Sequence, residues 1–165
     1  MNLLEIGCIH TPFQSATGTP IQPCRAGRTE GFVKINPPYV AGLKDLAGFD
    51  RVWLLFWCHR AVDAKMLVVP YRDTVERGLF ATRAPARPNP VGLSCVRLLG
   101  IEHDILRIGE VDILDDTPLL DIKPYVPQYD TYPVQHCGWV DTVPDCPVIA
   151  DARFERPDPQ DREAT

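Results

Sequence analysis

The stretch Arg51–His59 has the sequence RVWLLFWCH, and it decides the fold prediction. Between its polar ends the segment is apolar and rich in aromatic side chains, a composition enriched in β-strands. Its length suits a strand, because short continuous apolar runs are typical of buried strands whereas helices usually run longer. We therefore predict a strand that is buried on both faces.

Shorter apolar segments on both sides of this stretch also favour strands. They are Leu3–His10, Gly31–Ile35, Met66–Val69, Leu79–Thr82, Val91–Ile101, Ile105–Ile113 and Leu119–Lys123. Tyr39–Leu46 suits one or two helical turns ended by Gly48, and Thr11–Arg28 has the composition of a long loop. Several strands with little helix predict a mainly β protein, a small closed or partly open β-barrel with short helical turns and long loops.

Length and proline content agree with this architecture. The chain has 165 residues, which suits one domain of roughly 100–200 residues. Its 17 prolines are about twice the usual ~5%. Proline fixes φ and removes a backbone donor, so the composition favours shaped loops and short strands over a helical bundle. We expect residues 1–150 to form the domain and the polar residues 151–165 to be a flexible tail.

Charge and cysteine usage narrow the classes of function. A net charge of −5 differs from the basic surplus of a general nucleic-acid binder, although it leaves room for a local basic patch. The six cysteines form no CxxC pair, so no metal site is predicted. The beginning MNLLEIGCIH resembles no secretory leader, and no apolar run approaches the ~20 residues of a membrane span. We expect a cytoplasmic protein with reduced thiols.

The segment Arg83–Gly92, RAPARPNPVG, has the composition of a stiff binding loop. Each residue before a proline is biased towards extended backbone, so the loop shape is set before any ligand binds. It presents Arg83, Arg87 and Asn89 at short spacing. Guanidinium groups suit carboxylates and phosphates, and a carboxamide both donates and accepts hydrogen bonds.

A second polar segment follows in Asp121–Tyr125, DIKPY. Period-two alternation places Asp121, Lys123 and Tyr125 on one face of an extended strand. An acid, a base and a phenol in one row can position a nucleophile and accept its proton. A solvated Asp–Lys pair on an exposed strand is the alternative.

Three isolated residues suit either a ligand contact or a structural role. They are His59 at the end of the long apolar stretch, Gln22 in the long loop and Trp139 after the predicted strands.

Together these segments resemble the TrmO/TsaA-like family. The resemblance covers about residues 5–140 and rests on four strings: IGCIHTPF (6–13), LAGFDRVWLLFWCH (46–59), GLFATRAPARPNPVGLSCVRL (78–98) and DILDDTPLLDIKPYVP (112–127). A Rossmann-type methyltransferase would need βαβ units and a glycine-rich turn, and neither is readable here.

The resemblance implies a TsaA-like barrel that works as a homodimer and binds S-adenosylmethionine (SAM) near the interface. It implies methyl transfer to the exocyclic nitrogen of threonylcarbamoyladenosine beside the tRNA anticodon. Carried over to this chain, the SAM site would include Gln22, His59, Arg83, Arg87, Pro88 and Asn89. The catalytic residues at the substrate end would be Asp121, Lys123 and Tyr125.

Two departures and two alternatives accompany this resemblance. Relatives often read RSP where this chain has Arg83–Pro85, and DGTP where it has Asp115–Pro118, so that Asp116 stands in place of a glycine. The first alternative is a SAM-dependent methyltransferase with a small-molecule acceptor, and the second is a non-catalytic SAM-binding module.

Overall fold

The computed structural model describes residues 2–145 and 149–157 and contains a closed antiparallel barrel. The barrel strands are β1 (Gly7–His10), β2 (Glu30–Ile35), β3 (Arg51–Trp57), β6 (Val91–Glu102), β7 (Ile105–Gly109) and β8 (Thr117–Pro124). Their order around the barrel is β1-β2-β7-β6-β3-β8, and β8 pairs with β1 to close it. A separate two-stranded sheet pairs β4 (Leu67–Val68) with β5 (Arg77–Gly78). The prediction of a mainly β, closed barrel is confirmed.

In the residues that the structure describes, helical structure is limited to short turns in the loops. The one α-helical turn described is α1 (Pro127–Asp130). The 3-10 turns are Pro23–Arg25, Pro37–Leu43, Leu46–Gly48, Leu79–Ala81, Gly138–Asp141 and Ala152–Phe154. The Pro37–Leu43 and Leu46–Gly48 turns fall where one or two helical turns were expected.

The strand β3 is central to the core but is covered more on one face than on the other. Val52, Leu54 and Phe56 point inwards and are buried, while the outward residues between them are half-exposed. The expected burial on both faces is therefore corrected, because a barrel strand turns one face towards the interior and the other outwards.

Strand β1 begins at Gly7 instead of the predicted Leu3, and two further segments differ from the prediction. Leu79–Ala81 forms a 3-10 turn instead of a strand. Strand β7 stops at Gly109 because Glu110 takes a left-handed conformation with φ 59°, which ends the regular pairing. The segment Glu110–Leu114 is consequently free to curve over one end of the barrel.

The beginning of the predicted polar tail packs against the barrel. Phe154 is buried, the backbone of Glu155 bridges to Ala61, and Val62 N–H donates to the Phe154 carbonyl at 3.0 Å. Apolar burial of Phe154 explains why residues 151–157 depart from the expected frayed segment. The rest of the predicted tail, 158–165, lies outside the described residues.

The described residues include five of the six cysteines. Cys8, Cys24, Cys58, Cys95 and Cys137 are free thiols, and Cys146 lies outside the described residues. Across residues 2–145 and 149–157, no helix has the length and apolarity needed to cross a bilayer.

Candidate functional site

A cavity of about 400 Å³ opens at one end of the barrel. Antiparallel pairing brings the end of β3 beside the start of β6, with Trp57 opposite Val91. Phe56, Gly92, Ser94 and Thr117 therefore line the cavity from three neighbouring strands. The loops over the mouth contribute Ala16, Thr19–Gln22, Thr82–Pro85, Arg87, Ala150 and Phe154–Glu155. This volume falls in the range of small-molecule sites, roughly 300–1,000 Å³.

Arg83 and Gln22 meet at the mouth of this cavity. The Arg83 Nη1 donates to Gln22 Oε1 at 2.6 Å, which joins the proline-rich loop to the long N-terminal loop. Arg83 is exposed, and both residues line the cavity. The structure thus brings together two residues that are sixty-one positions apart and that were both predicted to bind SAM.

Arg87 stabilises the loop from within. Its Nη1 donates to the carbonyl oxygens of Thr82 at 3.1 Å and Ala84 at 3.3 Å. These bonds hold the loop backbone in one shape, and the guanidinium still contributes to the cavity lining. Pro88 and Asn89 are exposed beside the mouth, outside the lining that the described residues form.

His59, which the resemblance places in a SAM site, lies in the wall of this cavity. Its Nδ1 is 3.4 Å from Thr117 Oγ1, whose hydroxyl donates to the Leu114 carbonyl at 2.7 Å. Burial is the main cause that lowers the pKa of His59, and the neighbouring Arg60 lowers it further. His59 is therefore neutral at pH 7 and offers a ring nitrogen to a ligand.

Asp121 and Lys123 share one face of β8, as the alternation predicts, and Tyr125 follows the end of this strand, but that face is outside the barrel. The Lys123 Nζ lies 2.7 Å from Asp121 Oδ2, and the two side chains are 61% and 43% exposed. Pairing sets Asp121 opposite Leu55 and Lys123 opposite Trp53 on the outer face of β3. Within one protomer these three residues are therefore separate from the residues that line the cavity.

Asp112 is a cavity residue that the sequence predictions missed. It lies in the curved segment after β7, and the Ser94 hydroxyl donates to its Oδ1 at 2.7 Å. Burial raises the pKa of Asp112 to about 7. The available signal was an aspartate set between two apolar residues, Val111 and Ile113, which are both almost fully buried.

A second, aromatic cavity adjoins the first. It is lined by Tyr71, Phe80 and Trp139, and it shares Gln22 and Arg83 with the first cavity. The Trp139 indole N–H donates to the Ala81 carbonyl at 2.8 Å, which fixes the ring beside the loop. Arg83 and Gln22 thus stand at the boundary between two adjoining compartments.

Three potential metal ligands lie together at the outer face of β1, where the sequence predicted no metal site. Cys8, His10 and Asp116 hold potential ligand atoms within 4.8 Å of one another. His10 Nδ1 is 3.2 Å from Asp116 Oδ1 and 3.5 Å from Asp115 Oδ1, so a histidine–carboxylate contact accounts for the arrangement. Asp116 has φ 55°, a left-handed backbone conformation that favours glycine.

The sequence and fold match proteins of known class. A model of the tRNA-methyltransferase O N-terminal domain matches residues 8–131. The chain therefore belongs to the tRNA-methyltransferase O (TrmO) N-terminal domain family, a family of SAM-dependent methyltransferases.

Individual relatives show the range of names within this family. A probable SAM-binding protein of Pyrococcus abyssi is 49% identical over 82% of this chain and 74% of its own length. The tRNA (adenine(37)-N6)-methyltransferase of Escherichia coli is 31% identical over 85% of this chain and 64% of its own length. The crystal structure of TrmO from Pseudomonas aeruginosa superposes with a TM-score of 0.71 and 38% identity, over 84% of this chain and 62% of that one.

Proposed function

We propose that this protein transfers the methyl group of SAM to the exocyclic nitrogen of threonylcarbamoyladenosine in tRNA. The observation that carries the proposal is the pair of adjoining cavities that share Arg83 and Gln22. The first cavity holds charged groups of both signs, as a zwitterionic cofactor requires, and the second cavity offers aromatic side chains.

The first cavity fits SAM in size and in chemistry. Its volume of about 400 Å³ and its mixed apolar and polar lining suit a compact ligand of this kind. Arg83, aligned by Gln22, would bind the carboxylate, and His59 and Arg87 would line the remaining wall. Pro88 and Asn89, at the rim of the cavity, would contact the bound ligand or a second subunit.

The chemistry demands alignment more than strong acids or bases. When bound, SAM supplies an electrophilic methyl group on a sulfonium that becomes neutral on transfer. The chain's contribution is to hold the acceptor nitrogen in line with that methyl, which a stiff loop braced by Arg87 favours. A carboxylate or phenolate must also take the acceptor's proton, and Asp121 or Tyr125 is proposed for this step, with Lys123 orienting the acceptor.

The second cavity supports a nucleobase acceptor. Unpaired bases bind to proteins by stacking on aromatic rings and on guanidinium planes, and Trp139, Tyr71, Phe80 and Arg83 offer such surfaces. The Escherichia coli relative, named as a methyltransferase for adenine 37 of tRNA, agrees with such an acceptor.

A small-molecule acceptor is the alternative. It is favoured by the net charge of −5 and by the ion pairs that Arg72 and Arg77 form with carboxylates beside this cavity.

A homodimer would unite the two predicted groups of site residues. Leu93 is 53% exposed and lies both on the outer face of β6 and at the edge of the first cavity. The neighbouring outer face of β3 and β8 carries Trp53 and Leu55 together with Asp121, Lys123 and Tyr125. We propose that this apolar face packs against a second copy, so that these three residues approach the partner's cavity.

The acceptor is tested by methyl transfer from labelled SAM to two tRNA pools. We expect label in tRNA that carries threonylcarbamoyladenosine without the methyl, and none in tRNA that lacks the threonylcarbamoyl group. Absence of transfer to both pools, with SAM binding confirmed in the same preparation, would contradict the tRNA proposal. Screening of small-molecule acceptors would then separate an enzyme with another acceptor from a non-catalytic SAM-binding module.

The shared site is tested by mixing two inactive variants. Arg83→Ala should lose SAM binding, and Asp121→Asn should lose turnover by about 10²–10⁴-fold while retaining SAM. If each site combines Arg83 of one protomer with Asp121 of the other, unfolding and refolding the variants together should restore about a quarter of wild-type activity. Unrestored activity in mixed dimers would show that the residues act within one chain.

The cellular location is part of the same proposal. The free thiols of Cys8, Cys24, Cys58, Cys95 and Cys137 favour a reducing compartment, and the proposed tRNA acceptor agrees with the cytoplasm.

A further inference from the structure

Asp112 and Ser94 form a hydrogen-bonded polar pair in the wall of the first cavity. Ser94 is 3% exposed and points into the barrel from β6, where it faces Leu54 of β3 across the pairing. Its hydroxyl donates to Asp112 Oδ1 at 2.7 Å, and among the described residues this is the one side chain that hydrogen-bonds Asp112. Asp112 also lines the cavity, so its carboxyl group is within reach of a bound ligand.

The surroundings of Asp112 give its carboxylate little compensation. Burial raises its pKa to about 7, while the hydrogen bonds from Ser94 and from its own backbone N–H and the more distant Arg83 charge oppose this effect. Cys58 stays a neutral thiol because burial raises its pKa to about 12. Among the other cavity groups, Arg60 is paired with Glu155 at 2.6 Å, Arg87 donates to backbone carbonyls, His59 is neutral at pH 7, and burial keeps Tyr71 protonated.

We propose that Asp112, held by Ser94, is the subsite of the cavity that receives a positively charged group of SAM. This inference rests on the proposed function in that SAM is the ligand, but it does not depend on the acceptor. Arg83 at the mouth and Asp112 in the wall give the cavity a positive and a negative end, which matches a ligand that carries a carboxylate and two cationic groups. A cation beside Asp112 supplies the counter-charge that the protein itself does not place there.

Binding of SAM should consequently depend on pH in a defined direction. The carboxylate is the form that attracts a cation, so affinity should be highest above pH 7 and fall as Asp112 becomes protonated. If the ionised form alone binds strongly, affinity should drop about tenfold per pH unit below the pKa. Binding should also release protons near pH 6.5, because the bound cation lowers the pKa of Asp112.

The test is calorimetric titration of purified protein between pH 6 and 8.5, with Asp112→Asn as the variant. At pH 8 we expect this variant to bind SAM about 10- to 100-fold more weakly, as the loss of a charged hydrogen bond requires. Its affinity should show less pH dependence than that of the wild type, and the ligand's own amine titration is common to both proteins. Glu102→Gln, an exposed carboxyl at the far end of β6, is the matched control and should bind as the wild type does.

Two related ligands identify the cation and exclude a merely structural effect. S-adenosylhomocysteine keeps the α-ammonium but lacks the sulfonium, and methylthioadenosine lacks both charges. Weaker binding of both SAM and S-adenosylhomocysteine would assign the α-ammonium to Asp112, whereas weaker binding of SAM alone would assign the sulfonium. Equal weakening of methylthioadenosine, or unchanged SAM affinity in Asp112→Asn at pH 8, would overturn the proposal.

A second variant keeps the proposal testable if Asp112→Asn fails to fold. Ser94→Ala removes the hydrogen bond that lowers the pKa of Asp112, so the midpoint of the pH dependence should move to higher pH. An unmoved midpoint would contradict the proposal. Because these measurements use no acceptor, a failure to methylate tRNA would leave their result unaffected.

Discussion

Replacement of Leu54 by alanine is expected to lower the free energy of unfolding by about 2–5 kcal/mol. Leu54 is fully buried in the middle of β3, and its strand pairs with β6 on one side and β8 on the other. The substitution removes apolar contacts and leaves a cavity that a closed barrel cannot easily collapse, because each strand is fixed by two neighbours.

Chemical denaturation monitored by tryptophan fluorescence measures this loss. Leu67→Ala is the matched control, since Leu67 is 59% exposed on the small β4–β5 sheet and should change stability by less than about 0.5 kcal/mol. A loss below about 1 kcal/mol for Leu54→Ala would mean that the barrel interior relaxes around the site.

Replacement of Gly92 by alanine is expected to affect stability and ligand binding together. A Cβ at this position would lie 2.1 Å from Phe56 Cε2, closer than any real contact, so the aromatic ring must move. Phe56 is largely buried and lines the first cavity, as Gly92 does. We expect a destabilisation of about 1–3 kcal/mol from overpacking, and weaker SAM binding because the displaced ring reshapes the cavity wall.

Gly100→Ala on the same strand separates this clash from a general effect of alanine. A Cβ at Gly100 meets nothing within 4 Å, and the change should be neutral or stabilise by up to about 1 kcal/mol. Thermal unfolding and SAM titration of both variants provide the comparison. If Gly92→Ala matched Gly100→Ala in both measurements, the close packing of Phe56 on Gly92 would not limit either property.

The barrel could be predicted from the sequence because its signals are local. The apolar segment at β3 and the alternation along β8 depend on neighbouring residues, and both strands form where they were expected. The strands β6 and β7 were also predicted, and His103 in the turn between them takes φ 54°. The segment Leu79–Ala81 forms a 3-10 turn but was wrongly predicted as a strand, because short apolar runs carry no signal that separates a turn from a strand.

The cavity was less predictable because its walls come from distant parts of the chain. Arg83 and Gln22 could be singled out, but their 2.6 Å contact depends on the relative placement of two loops. Asp112 carries no motif, and its unusual environment arises only when β6 places Ser94 against it. For Asp121, Lys123 and Tyr125, alternation predicts a shared face without indicating whether that face is inside or outside the barrel.

Residues 149–157 return over the barrel mouth, so part of the binding surface comes from a segment that is separate from the barrel scaffold. Ala150, Phe154 and Glu155 line the first cavity, yet all three follow the segment 8–131 that the family model matches. Ile149 and Glu155 attach this wall through backbone bridges to Pro20 and Ala61, contacts that do not depend on side-chain identity. Exchange of this short segment between relatives would therefore alter the shape and charge of one cavity wall while the barrel, the proline-rich loop and Asp112 stay in place.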